Sequence, residues 1–361
     1  MQFEEKTPAR GRGEGYQEYI GGLHVHTEYS DGGASVERVI EAARTTGLDF
    51  LLIADHDSLG AKRRGFEGWR GDVLVIVGVE ISPWRKGHCL AWDVDTCRGY
   101  REVEPPVYLA RIARNGGVAF AAHSDGKRRP FSLGRVEMWS EWDSPHLAGL
   151  EIWSFMHDWS EGIWPFGLQQ VPFRLLDPTR WLKGPSAETL RQWDRMGRRR
   201  RFVGIGSLDS HEIGMPFVPW RWLSCERIFR TVRTHIRSAP WTGDAKSDMR
   251  AVRGAIEAGR CHVANDRLHD SSGFDFWGET EGGKIVFMGE ETAFCDELTL
   301  HAASPATATI RLLRDGAEAA ALVGTTLRHK PTEAGVYRVE VLWKTRPWIF
   351  SNPIYLRTQG G

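Results

Sequence analysis

The five cysteines, Cys89, Cys97, Cys225, Cys261 and Cys295, are scattered, and no pair has C-x-x-C spacing. That excludes a zinc knuckle or a dithiol redox motif, and the odd number suits a reducing compartment. Most are expected to be buried, inert thiols. No apolar run is long enough to span a bilayer, and the opening MQFEEKTPARGRGEG lacks the apolar core of a signal peptide. The expectation is a cytoplasmic protein with no membrane partner. Net charge is also missing: 47 Lys plus Arg balance 47 Asp plus Glu. A neutral chain has no global field to gather nucleic acid or an anionic surface, so neither is expected as a partner. There is no G-x-S-x-G and no P-loop, and His211-Glu212 lacks the second His of H-E-x-x-H. Internal repeats and low-complexity tracts are absent too.

The remaining composition is ordinary. The chain has 361 residues, 41% hydrophobic and 26% charged. That is enough for one large or two ordinary domains without disulfides. The 16 tryptophans are the exception. Most read as large core residues, with one or two left for the wall of a substrate pocket.

Short apolar runs read as buried strands: 50–54, 73–79, 118–122, 150–153 and 202–205. Between them, ASVERVIEAARTTG places Val36, Val39, Ile40 and Ala43 at helical spacing and stops at Gly47. A shorter helix is expected at 109–113, closed by Asn115-Gly116-Gly117, and another over 246–259. Strand alternating with helix predicts a parallel α/β arrangement. Residues 155–201, rich in Trp, Pro and Arg, break the rhythm and read as an insertion over the site, as do 212–243. After about Asp266, segments such as ELTLHAAS, ATIRLLRDG and VYRVEVLW alternate apolar and polar residues. This is the period of antiparallel strands with one wet face. The expected division is a catalytic α/β domain over 1–265 and a small antiparallel β-sandwich over 266–361.

The chemistry is carried by polar groups at the ends of these runs. His24-Val25-His26 is followed by Thr27 and Asp31; Asp55-His56-Asp57 closes LLIA; Glu80 closes VLVIVGV; His88 follows Gly87; His123 closes VAFAA; Glu151 lies in GLEIW; Asp209-Ser210-His211 follows FVGIGSL. In parallel barrels the C-terminal rim of the strands is where sites are assembled. A lone His at a strand end is more often a hydrogen-bonded structural residue. His146, His157, His235, His262, His269, His301 and His329 are read that way. The joint pattern at successive strand ends is different, because such a concentration of ligands is unfavourable unless cations hold it. The expected activity is hydrolysis by a water or hydroxide held in a cluster of His, Asp and Glu.

HVHTEYSDG, IADHDS, GVEIS, GHCL, AHSDG and GSLDSH, over about residues 20–262, resemble the ordered motifs of the PHP (polymerase and histidinol phosphatase) superfamily. GVYRVEV and WIFSNPIYL resemble the β domain of its CehA/McbA-type branch. The resemblance implies a distorted (β/α)7 barrel with two or three divalent ions of Zn, Mn or Fe. It implies that His24, His26, Glu80 and Asp209 hold one ion. Glu80, bridging, would hold a second with His88 and His123, and Asp31, His56 and His211 a third. Two departures, AHS for the common AHP and Leu208 where a smaller residue is usual, remove no ligand.

Mixed N and O ligands suit all three metals, and closely spaced ions can activate a water and clamp attacking and leaving oxygens. Glu80 and Asp209 are the expected catalytic carboxylates, joined by Asp55. Asp55 and Asp57 could orient His ligands or relay protons. Lys127, Arg128 and Arg129, just after His123, either hold a substrate phosphate or form a solvated turn. The expected partner is a small phosphate ester. A carboxyl-ester, amide or carbamate substrate at the same site is the alternative, and a metal-stabilised binding module without turnover is the second. Self-association is left open.

Overall fold

A computed structural model describes residues 15–358 except 85, 125–137, 162, 164–167 and 213–222. Lys127, Arg128 and Arg129 therefore lie outside the described residues. The local grammar of the sequence explains many elements directly. Ser35 caps the helix Val36–Thr46, its side chain accepting from Arg38 N, and Gly47 ends it at φ 71°. Only a residue without a Cβ adopts that left-handed conformation freely. Val36, Val39, Ala42 and Ala43 form its buried face. The expected helices at 109–113 and 246–259 are Pro105–Arg114 and Ala245–Glu257. Every residue of Phe50–Ile53, Val73–Val77 and Val118–Ala121 is buried, as uninterrupted apolar runs should be.

The protein is mixed α/β, built on two sheets. Part of the larger, 14-stranded sheet runs Val73–Val77, Phe50–Ile53, Gln17–Val25, Val232–Ser238, Cys261–Asn265, Arg346–Ser351 and Gly335–Trp343 in spatial order. The smaller has five strands: Val79–Ile81, Cys89–Trp92, Val118–Ala121, Gly149–Ser154 and Val203–Ser207. The chain crosses between them at Gly78. At the other margin, Leu208 N donates to Leu23 O (2.9 Å) and His26 N to Ser210 O (2.9 Å). Among the described residues, two isolated bridges, Val25↔Ser210 and His56↔Glu80, link the sheets outside the named strands.

The expected parallel arrangement is met in part, and two features depart from it. Among the described residues no continuous ladder joins the two sheets, and the pairing of Gln17–Val25 with Phe50–Ile53 shifts register between Gly22 and Val25, where His24 takes a positive φ of 63°. The smaller sheet is also mixed. Cys89–Trp92 runs antiparallel to Val79–Ile81 and to Val118–Ala121. The short connection between Val79–Ile81 and Cys89–Trp92 cannot carry a parallel crossover, which needs a dozen or more residues.

Residues 212–243, expected as an insertion, include Val232–Ser238, which pairs antiparallel with both Gln17–Val25 and Cys261–Asn265. VRTHIRS does not look like a central strand, yet all seven residues are buried. Its polar side chains are partnered. His235 Nδ1 lies 2.8 Å from Glu18 Oε1 and its Nε2 2.9 Å from Asp266 Oδ2. Arg237 Nη1 lies 3.0 Å from Asp275 Oδ2. Buried charge is tolerable when paired in this way.

The C-terminal strands have their own apolar cluster, with Phe276, Leu300, Ile310, Val339 and Trp348 among its members. They are not a detached sheet. Arg346–Ser351 pairs with Cys261–Asn265 through His262↔Ser351, Val263↔Phe350 and Ala264↔Ile349. An uncovered edge there would leave a row of backbone groups without partners. The Asn352 amide extends the seam, accepting from Gly204 N (2.8 Å) and donating to Gly204 O (2.8 Å) and Cys261 O (2.9 Å). Farther out, Arg338 grips Asp194 of the helix Ala187–Arg199 with two hydrogen bonds of 2.7 and 2.9 Å.

Among the described tryptophans, Trp92, Trp139, Trp153, Trp159, Trp193, Trp277 and Trp348 are buried core residues, while Trp84 is 77% exposed. Among the described residues no helix is long and apolar enough to cross a membrane.

Candidate metal centre

The ends of the apolar runs converge on one carboxylate. Glu80, fully buried on Val79–Ile81, has Oε1 2.7 Å from His123 Nε2 and 2.8 Å from His88 Nδ1. Its Oε2 lies 2.9 Å from His56 Nδ1, 3.3 Å from His24 Nε2 and 3.4 Å from His26 Nε2. Asp209 approaches from the far side, with Oδ1 3.3 Å from His26 Nε2 and 3.7 Å from His24 Nε2. Outward of these, Asp31 reaches His56 Nε2 (3.5 Å) and His211 Nε2 (3.4 Å). The inner groups are sealed and Asp31 is exposed, so the cluster opens on one side. The structure thus brings together His24, His26, Asp31, His56, Glu80, His88, His123, Asp209 and His211.

Local backbone geometry sustains the convergence at a cost. His24, His123 and Asp209 have φ of 63°, 26° and 48°. Such values are uncommon for non-glycine residues and concentrate at functional sites. The Ser30-Asp31-Gly32 turn packs tightly beneath His26: a Cβ on Gly32 would stand 2.5 Å from the His26 carbonyl carbon. Glycine is what lets Asp31 come this close.

Other polar residues hold these groups in place. Asp55 takes hydrogen bonds from Thr27 N (2.7 Å), Thr27 Oγ1 (2.8 Å) and Ser30 Oγ (2.7 Å), so it fixes the turn between His26 and Asp31. Asp57 accepts from Ser82 N (3.2 Å), and Ser82 Oγ lies 2.6 Å from His56 Nδ1. Glu151 has Oε1 2.6 Å from His24 Nδ1 and accepts from His123 N (2.7 Å) with Oε2. Glu151 lies within the strand Gly149–Ser154, and its motif GLEIW by itself assigns it no role. His157, read as a structural histidine, lies beside the cluster: its ring stacks on His123 at 4.1 Å, and Nε2 lies 3.5 Å from Asp209 Oδ2. His157 sits in the helix Phe155–Ser160, away from any motif, and nothing in WSFMHDWS marks it.

The electrostatics are those of a crowded ionic cluster. Burial would raise the Glu80 carboxyl, but the imidazoles of His56, His24 and His88 outweigh it and hold it well below its usual range. Asp209 is likewise held low against burial, mainly by His26, His24 and His211. His56 resists its own desolvation and is pushed up to about 11 by Glu80 and Asp31. His26 goes the other way, down to about 3, through burial and the neighbouring His211.

Hydrogen bonding leaves this cluster incomplete. His24 Nε2, His26 Nε2 and Glu80 Oε2 are buried with no hydrogen-bond partner. Stranded buried polar atoms each cost on the order of 1–3 kcal/mol. Cations remove that cost. Metal–ligand bonds of about 2.0–2.2 Å separate tetrahedral ligand atoms by about 3.4 Å. The observed spacings of 3.3 Å for His24 Nε2–Glu80 Oε2 and His26 Nε2–Asp209 Oδ1 match that edge. Candidate ligand groups include His24, His26 and Asp209; His24, Glu80 and His123; His56, Glu80 and His88; and His26, Asp31, His56 and His211. The residues present therefore fit divalent ions.

No family model matches the chain. A curated protein of Eggerthella lenta, phosphoribosyl 1,2-cyclic phosphate 1,2-diphosphodiesterase, is 35% identical over 79 residues, which cover 20% of this chain. The match spans only 30% of that relative's length. A solved two-domain protein of Bacteroides vulgatus, containing a predicted PHP-like metal-dependent phosphoesterase, is 12% identical, with a TM-score of 0.44 over 98% of this chain and 100% of its own. A structure from Bifidobacterium adolescentis, assigned as a metal-dependent phosphoesterase, is 16% identical, with a TM-score of 0.32 over 58% of this chain and 94% of its own.

Proposed function

We propose that this chain is a PHP-type metal-dependent phosphoesterase that hydrolyses a small phosphate ester. The observation that carries this reading is the buried Glu80 carboxylate with five imidazoles within 3.4 Å of its oxygens, two of them with a stranded Nε2. His24, His26 and Asp209 would hold one ion. Glu80 would bridge to others held with His123, His88 and His56, and Asp31 and His211 would complete the open side. Because the candidate groups share His24, His26, His56 and Glu80, two or three ions account for them all. Divalent ions there would supply Lewis acidity, an activated water and neutralisation of phosphoryl charge.

The chain's own residues do the rest. Glu151 orients the His24 ring through Nδ1, leaving Nε2 directed at Glu80 and Asp209. Asp55 fixes the turn that presents Asp31, and Ser82, held by Asp57, orients His56. His157, buried beside Asp209 Oδ2, would buttress that carboxylate from the helix Phe155–Ser160. Lys127, Arg128 and Arg129 follow His123 and are assigned to phosphate contact.

In this reading the two abutting sheets are the halves of a distorted (β/α)7 barrel. Residues 1–265 form the catalytic domain and 266–361 a β domain that buttresses it. The partial likeness to the Eggerthella lenta phosphodiesterase supports phosphate over carboxylate esters. Screening phosphate mono- and diesters beside carboxyl esters, with and without added Mn or Zn, tests the assignment. Metal-stimulated turnover of a phosphate ester is expected. Turnover confined to carboxyl esters would replace the substrate class.

A further inference from the structure

The helix Ala187–Arg199 starts next to the metal centre. Its Ser186 cap accepts from Thr189 N at 3.1 Å, and the two hydroxyl oxygens lie 3.0 Å apart. Between this helix start and the rings of His123 and His157 is a cavity of about 20 Å³. That volume holds one or two oxygen-sized atoms.

Two groups in its wall have hydrogen bonds to give and nothing to receive them. Ser154 is the N-cap residue of Phe155–Ser160, yet its side chain makes no capping bond. It is 5% exposed, and its Oγ has no partner. A serine in that position ordinarily caps its own helix. His123 is 7% exposed; its Nε2 is engaged by Glu80, and its Nδ1 has no partner. An imidazole that holds a metal through one nitrogen almost always donates its other N–H to an acceptor. Among the described wall residues the one carboxylate, Glu151, is already committed to His24 Nδ1 and His123 N. A helix N-terminus with two idle donors calls for an anionic oxygen.

That oxygen cannot come from the phosphoryl group at the metal centre. Nε2 and Nδ1 lie on opposite edges of the same ring, and a single tetrahedral group cannot reach both sides. Building on the phosphoesterase reading, we propose that the cavity is a second-anion subsite: the substrate carries, besides the scissile phosphate, another oxyanion whose terminal oxygen is received by Ser154 Oγ, His123 Nδ1 and the start of Ala187–Arg199. The substrate class is then a phosphate ester bearing a nearby carboxylate or second phosphate.

Equilibrium binding to the metal-loaded protein tests this with three probes: methyl phosphate, phosphoglycolate and ethane-1,2-diyl bisphosphate. Wild type should bind at least one of the two probes that carry a second anionic group about tenfold or more tighter than methyl phosphate, and which one identifies that group. Ser154→Ala removes a hydroxyl that supports nothing in the fold, and Ser154→Val also fills the space. Both should erase most of that preference while leaving methyl phosphate affinity and metal content unchanged. Equal affinity for all three probes in wild type, or a preference that survives both substitutions, would overturn the subsite and mark the cavity as a place for structural water. If wild type binds none of the probes, the phosphoesterase reading fails with it.

Discussion

Asp194→Ala should loosen the C-terminal strands from the helix that borders the candidate site. Arg338 is 2% exposed. It holds Asp194 through Nε–Oδ1 (2.7 Å) and Nη2–Oδ2 (2.9 Å), with Nη1 on Glu340 Oε1 at 2.6 Å. Removing one partner of a buried ion pair costs about 3–5 kcal/mol, because the remaining charge is stranded. Glu340 still compensates part of the Arg338 charge, so the lower end applies, about 3 kcal/mol. At 1.36 kcal/mol per tenfold, that raises the unfolded or detached fraction by roughly 150-fold. Urea unfolding followed by tryptophan fluorescence reads the change, since Arg338 lies over the Trp193 ring at 5.3 Å. Hydrogen exchange along Gly335–Trp343 localises it. Asp194→Leu with Arg338→Met, which removes both charges, should regain most of the loss. An Asp194→Ala variant within about 1 kcal/mol of wild type would refute the claim that this clasp joins the two parts.

Glu80→Gln should abolish turnover and reduce bound metal while leaving the circular dichroism of the protein intact, whereas His146→Ala, at an exposed position, should do neither; comparable losses in the two would show the centre is misassigned. The buried Glu18–His235–Asp266 array predicts a pH dependence of stability. Burial opposes a charged His235, but Asp266 and Glu18 override it and raise its pKa from 6.5 to about 10. A raised folded-state pKa contributes stability fully present below pH 6.5 and lost as pH rises through about 10. The stability gap between wild type and His235→Gln should therefore narrow across that window in chemical denaturation; a gap that widens would contradict the charged array.

The sequence announced the inner cluster of side chains better than the architecture around it. Glu80 and His123 were legible because each ends an apolar run, where a polar group needs a reason, and His24, His26 and Asp209 because they stand in compact H-x-H and D-x-H patterns after strand-like segments. His157 was not, since a single His among aromatics looks like any core histidine, and only stacking on His123 reveals its place. Val232–Ser238 was hidden for the opposite reason: its polar side chains are paid for by Glu18, Asp266 and Asp275, all distant in sequence. The alternating period after Asp266 announced strands. It could not announce that Arg346–Ser351 would cover the edge of Cys261–Asn265, because edge pairing is decided by which backbone groups remain open. The short link before His88 did carry a signal for antiparallel pairing, in its length, that residue patterning alone passes over.

Elemental analysis of protein purified without chelator tests the central claim most directly. The geometry around Glu80 predicts two or three divalent transition-metal ions per chain, removed by a chelator and restored together with activity by Mn, Zn or Fe. Less than one ion per chain after reconstitution of folded protein would contradict a multinuclear centre.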